Sequence, residues 1–162
     1  MRYRLILALA ALLALSDQAS KWLVTASLAP YESITVTGFF NLVHVYNYGA
    51  AFGFLNDPSS SWQRWLFTGA TLVAAAAIFA VARHADAGEK TLFVALGCIL
   101  GGAAGNLVDR LHIGAVVDFL DFHYAGWHWP AFNVADMAIC AGAALMALCI
   151  LRPGGASPTA RP

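Results

Sequence analysis

Apolar residues run along this chain in four long stretches, separated by segments of a different texture. The first covers about 5–28 and is interrupted only by the polar turn Ser16-Asp17-Gln18-Ala19-Ser20-Lys21. The others cover about 62–82, 91–109 and 133–151. Each is close to the ~20 residues that a helix needs to cross the hydrocarbon core of a bilayer, so four transmembrane helices are predicted. Trp62 and Trp65 open the second stretch, where an aromatic belt belongs. Between the first two stretches, residues about 30–57 change period. Ser33-Ile34-Thr35-Val36-Thr37 alternates polar and apolar, and the residues from Asn41 on are rich in Val and Tyr, which predicts short strands. This segment is too polar to span a bilayer. It is predicted to form a small extracytoplasmic antiparallel sheet on the membrane surface, with Phe39, Phe40, Phe52 and Phe54 available to lipid. The expected fold class is therefore mainly α and integral to the membrane.

Connections follow from composition. Asn56-Asp57-Pro58-Ser59-Ser60-Ser61 reads as a loop, 83–90 as a short polar link and 110–129 as an outer loop. Residues 1–152 make one membrane-embedded domain, and the Pro/Gly/Ser-rich tail at 153–162 is expected to be disordered. Arg2 and Arg4 ahead of the first apolar run resemble the start of a secretory signal, with Ala14-Leu15-Ser16 as a small-residue cleavage site. The return of apolar residues at 22–28 and the three spans beyond favour a retained helix.

Composition agrees with the pattern. Of 162 residues, 60% are hydrophobic and 11% charged, against about 25% charged in soluble domains. Net charge is zero with no basic run, which argues against nucleic acid as a partner. Cys98, Cys140 and Cys149 lie in apolar runs without disulfide or metal spacing, and the five His residues form no ligand pattern, so neither metal nor cofactor is expected. Four spans put both termini on one side. Arg2, Arg4, Arg83, Lys90, Arg152 and Arg161 fall there, so by the positive-inside rule the termini are cytoplasmic.

Candidate chemistry gathers on the opposite, outer face. Ionisable groups at membrane depth are costly and usually mark a pathway or a site. Asp118 sits among Val116, Val117, Phe119 and Leu120 and is either buried or held against headgroups. Asp121 competes with it: the two point to opposite faces if the segment is extended and share one if it is helical. Asp136 opens the fourth span. With Asn133 as N-cap it occupies the third helical position, where an acid also serves the helix dipole without any chemistry. Paired carboxylates in a poorly hydrated site can share one proton and so hydrolyse a peptide bond without metal. We read Asp118 and Asp136 as such a pair. Asp109 and Arg110 end the third span, with Asn106 about one turn earlier. Gly97, Gly101 and Gly105 repeat at a spacing that lets a neighbouring helix approach. Asp17 and Lys21 share a helix face, as an ion pair or as binding groups.

The ordered motifs Asp17-xxx-Lys21, Asn47-Tyr48-Gly49-Ala50-Ala51-Phe52, Gly105-Asn106-xx-Asp109-Arg110, Val117-Asp118-Phe119 and Phe132-Asn133-x-Ala135-Asp136 resemble those of bacterial lipoprotein signal peptidases. These are type II signal peptidases, aspartic proteases of the cytoplasmic (inner) membrane. The resemblance covers residues 17 to about 150. It implies Asp118 and Asp136 as the catalytic dyad, with Asn47, Gly49, Asn106, Arg110 and Asn133 supporting the site or the substrate. Asp17, Lys21 and Asp109 match further motif positions. The implied substrate is a diacylglyceryl-modified prolipoprotein cut just before its lipidated cysteine, and globomycin-type inhibitors are expected to occupy the dyad. Two other classes fit the sequence less well. A proton-coupled carrier lacks a relay of acids toward the cytoplasm, and a non-catalytic membrane subunit leaves the acids unexplained.

Overall fold

The computed structural model describes residues 2–49 and 61–151. Expectations for Ala50, Ala51, Phe52, Phe54, the loop before Ser61 and the tail from Arg152 lie outside them. Four helices among the described residues are long and apolar enough to cross a membrane: α1 (Arg2–Ser27), α2 (Trp62–His84), α3 (Lys90–His112) and α4 (Val134–Leu151). The polar turn at 16–21 does not break α1, which runs through it as continuous helix. Large apolar side chains such as Leu15, Val73 and Ile150 face outward, as a lipid-embedded bundle requires.

Helix α3 is the centre of the bundle and packs against α1, α2 and α4. Its glycines explain the closeness. A Cβ on Gly101 would lie 2.9 Å from the Ala10 backbone of α1, and one on Gly97 3.2 Å from the Ile6 carbonyl. Gly102 faces the Ala135 carbonyl of α4 in the same way. At the end away from the strands, Ile6, Ile78, Ala82, Phe93 and Leu96 form an apolar core. There the Arg2 guanidinium donates to the Ala82 and Ala85 carbonyls at 3.0 and 2.9 Å, tying α1 to the end of α2.

The sheet is larger than the 30–57 segment alone. It comprises β1 (Ser33–Thr37), β2 (Phe40–Asn47), β3 (Val116–Tyr124) and β4 (Trp127–His128), antiparallel in the order β1-β2-β3-β4. The stretch expected as an outer loop thus supplies two strands. Ile113 N–H closes on the Asp109 carbonyl to end α3, and Gly114, at φ +81°, turns the chain back. Ala125 and Gly126, both at positive φ, make the tight turn between β3 and β4. The Phe40 ring is half-buried and packs 4.9 Å from that of the exposed Phe122, while Phe39 stays exposed. Under the sheet, Val24, Leu28 and Phe119 form a second apolar cluster that fastens β3 to the end of α1.

Candidate active site

The site is built where β3 and the start of α4 meet the ends of α1 and α3. Asn133 caps α4: its Oδ1 accepts the Asp136 N–H at 2.9 Å, and Asp136 Oδ2 accepts the Asn133 N–H at 3.2 Å. This reciprocal pairing satisfies two N–H groups that a helix start leaves open. It fixes the backbone and side chain of Asp136 together. The other Asp136 oxygen, Oδ1, accepts the Asn106 Nδ2–H at 2.8 Å.

Asp118 enters from β3, opposite Val45 of β2, and is 2% exposed. Its Oδ1 accepts from Asn133 Nδ2 at 2.7 Å and its Oδ2 from Asn47 Nδ2 at 3.0 Å. One asparagine, Asn133, therefore touches both acids. Burial, and then the negative charge of Asp136, push the Asp118 carboxyl up to about 7. The Asn47 and Asn133 hydrogen bonds and the charge of Lys21 act in the opposite direction and do not cancel the rise.

Behind the acids lies a buried polar knot. Lys21 is 3% exposed and Asp17 0%. The Lys21 ammonium meets Asp17 Oδ2 and Asp109 Oδ2 at 2.8 Å each and donates to Asn106 Oδ1 at 2.9 Å, which occupies its three protons. Asp17 Oδ1 accepts the Ala135 N–H in the first turn of α4 at 2.9 Å, and Asp109 Oδ2 the Val117 N–H of β3 at 3.1 Å. The knot thus joins α1, α3, β3 and α4. All three Lys21 protons are thus taken up within the fold.

Gln18 completes this knot and was not distinguished by sequence reasoning. Its Nε2 donates to Asp109 Oδ1 at 2.8 Å and to the Gly105 carbonyl at 3.1 Å. Only its place beside Asp17 hinted at it. Gly105 also belongs here, since a Cβ on it would lie 2.6 Å from Asp17 Oδ2. Arg110 lies over the Phe67 ring at 4.8 Å, donates to the Gly49 carbonyl at 3.4 Å and carries its charge within reach of Asp136, Asp118 and Asp109. Gly49 in turn donates its N–H to Asn47 Oδ1 at 3.0 Å.

Asp121, the competing acid, is turned away from this cluster. Its oxygens meet Asn41 Nδ2 at 2.8 Å and His128 Nδ1 at 3.0 Å. Burial would raise its carboxyl, but the Asn41 and His128 hydrogen bonds and the neighbouring histidine charge hold it below the ordinary value. Among the described residues no group of three or more metal-ligating side chains converges.

Fold and site together define a multi-pass membrane protein whose acids, asparagines and one arginine converge at the sheet end of the bundle. The chain belongs to the lipoprotein signal peptidase family: the family described as Signal peptidase (SPase) II matches residues 9–152. It is 52% identical over 153 residues to the lipoprotein signal peptidase of Nitratidesulfovibrio vulgaris, covering 94% of this chain and 92% of that one. It is 55% identical over 141 residues to that of Ralstonia nicotianae, covering 85% and 79%. A solved structure described as a bacterial membrane enzyme, determined in meso at 2.3 Å resolution, superposes with a TM-score of 0.82 at 25% identity, over 97% of this chain and 93% of that one. A second, at 1.9 Å resolution, gives 0.78 at 27% identity, over 91% and 92%. Membership makes the chain a membrane protease that removes signal peptides from prolipoproteins.

Proposed function

We propose that this chain is an aspartic endopeptidase in which Asp118 and Asp136 activate water to cut a diacylglyceryl-modified prolipoprotein just before its lipidated cysteine. The observation that carries the reading is the Asn133 side chain, which holds a buried carboxyl at 2.7 Å while its Oδ1 caps the backbone of the second acid. Asp136 stands in the first turn of α4, where the helix dipole favours a negative charge. Asp118, buried and beside a negative charge, is the member that holds the proton.

The chemistry follows from that division. Asp136 takes a proton from water as the water oxygen attacks the scissile carbonyl carbon. Asp118 gives its proton to the carbonyl oxygen, so no free oxyanion accumulates. As the gem-diol collapses, the C–N bond breaks, Asp136 passes its proton to the leaving amine, and Asp118 recovers one from a gem-diol hydroxyl whose oxygen stays behind as the carbonyl of the product acid. Asn47 and Asn133 hold Asp118 in place throughout, and Arg110 balances the negative charge of the pair. No metal or cofactor enters.

Location fits the substrate. The basic residues Arg2, Arg4, Arg83 and Lys90 lie at the end opposite the strands, which supports cytoplasmic termini and an extracytoplasmic site in the bacterial cytoplasmic membrane. A lipid-anchored peptide diffuses laterally to such a site with its acyl chains among the helices. The sheet carrying Asn47, with Gly49 beyond it, holds the peptide, and globomycin-type inhibitors compete there.

The test is cleavage of a diacylglyceryl prolipoprotein peptide in detergent by wild type, Asp118→Asn and Asp136→Asn. Wild type should cut before the modified cysteine, and each folded variant should lose at least about a thousandfold in kcat. Retained activity in both variants would remove the dyad.

A further inference from the structure

Three asparagines face the acids, and each can present either its NH2 or its oxygen to them. Side-chain amide orientation is settled by whichever partner has no choice of role. For Asn47 that partner is the Gly49 N–H, which donates to its Oδ1 and leaves the NH2 for Asp118. For Asn133 it is the Asp136 N–H, which again leaves the NH2 for Asp118. Asn106 differs. Among the described residues its Oδ1 accepts no backbone N–H; it accepts the Lys21 ammonium at 2.9 Å, and the Asn133 NH2 at 3.2 Å. Both are fixed donors, since the Asp136 N–H already turns the Asn133 NH2 this way, but the ammonium is the nearer and the charged one.

We infer that Lys21 is a positioning residue that orients the buried Asn106 amide so that its NH2 faces Asp136. Resting on the dyad assigned above, this gives Lys21 a share in deciding which acid is charged. With the amide reversed, an oxygen would face the Asp136 carboxylate and favour its protonation. The pair would then hold one proton too many to activate water. Asp17 and Asp109 hold the ammonium at 2.8 Å each, and so aim it. Among the described residues the charged groups around Asn106 and Asp136 are Asp17 and Lys21 from α1, Asp109 and Arg110 from α3, and Asp118 from β3. Only Lys21 among them hydrogen-bonds the Asn106 oxygen. A merely structural lysine would alter the amount of folded enzyme, not the protonation of the pair.

The test uses the full chain in detergent. Asp17→Asn/Lys21→Met removes the ammonium without changing the net charge of the knot, and Asp109→Asn/Lys21→Met does the same should the first not fold. The pH profile of kcat/KM on the lipopeptide reports the free enzyme. Its acid limb should move up by about one pH unit, with KM changed less than about twofold. Adding Asn106→Ala should produce no further movement, because both changes remove the same contact. An unmoved acid limb in folded enzyme overturns the inference. So does a separate, additive shift on Asn106→Ala, which would mean that Lys21 acts through space. Cleavage by Asp118→Asn and Asp136→Asn would instead overturn the dyad itself, and this inference with it.

Discussion

Asn133 and Asp136 each bond the backbone N–H of the other through a side-chain oxygen, at 2.9 and 3.2 Å. The cap uses one oxygen of Asp136 and leaves the second to Asn106, so helix capping leaves room in the same carboxylate for the chemical role proposed above. The same division holds for Asn133, whose oxygen serves the helix while its NH2 serves Asp118.

The two roles of Asn133 separate by substitution. Asn133→Ser keeps a good N-cap but has no NH2 for Asp118, whereas Asn133→Ala loses both. Against wild type, Asn133→Ser should lower kcat by on the order of tenfold to a hundredfold. Asn133→Ala should lose a further ~1 kcal/mol of stability for the missing cap. Thermal unfolding of the two variants beside their kcat values checks this. Equal stability of the Ser and Ala variants would show that the cap contributes nothing.

In the proposed mechanism the Asp118 carboxyl, raised from 3.8 to about 7, sets the alkaline side of the reaction. The proton that reaches the scissile carbonyl is present below that value and lost above it. Cleavage should therefore fall about tenfold per pH unit on the alkaline side of about 7. Stability follows the same sign. The folded state holds this proton more tightly than the unfolded chain, so its contribution is complete below the unfolded value and is lost as pH rises through about 7. Asp118→Asn should flatten that part of the dependence of thermal midpoint on pH. An unchanged slope in the variant counts against the shift.

Asp121 is the control acid. It lies three residues from Asp118 on an extended strand and is held by Asn41 and His128 rather than by the asparagines of the site. Asp121→Asn should retain kcat within about threefold while costing about 1 kcal/mol for the weakened pairing. Loss of cleavage in folded Asp121→Asn would move the chemistry to the other face of β3.

How much of this was legible depended on whether the cause was local. The four spans announce themselves because lipid demands runs of apolar residues, and the Asn133 cap because an asparagine precedes its acid by three positions at the start of such a run. Strand β3 was half legible, with extended and helical readings both left open for the Asp118 segment. Its residues from Val116 to Phe119 are all buried, so it lacks the alternation that marks a strand with one wet face, and its turn is Ala125-Gly126 rather than the usual Asn-Gly. The contacts of Lys21 were half legible. Asp17 lies one helical turn away, but Asp109 and Asn106 reach Lys21 only because glycines bring α3 against α1.

That approach gives the sharpest mutational contrast. Gly105 and Gly69 both lie inside helices, where alanine is normally favoured by about 0.5–1 kcal/mol. At Gly69 nothing lies within 4 Å of an added Cβ, so Gly69→Ala should raise the thermal midpoint. At Gly105 the added carbon would lie 2.6 Å from Asp17 Oδ2 and 3.1 Å from its Cγ. Asp17 cannot yield without lengthening its bonds to Lys21 and to the Ala135 N–H, both currently under 3 Å. Gly105→Ala should therefore destabilise by on the order of 1–3 kcal/mol. It should also lower kcat, because Ala135 immediately precedes Asp136 in the first turn of α4. Unfolding midpoints of the two variants, measured side by side in one detergent, should move in opposite directions. If Gly105→Ala is as stable as Gly69→Ala, the close approach of α1 to α3 at the knot is wrong, and with it the burial that holds Lys21 behind the acids.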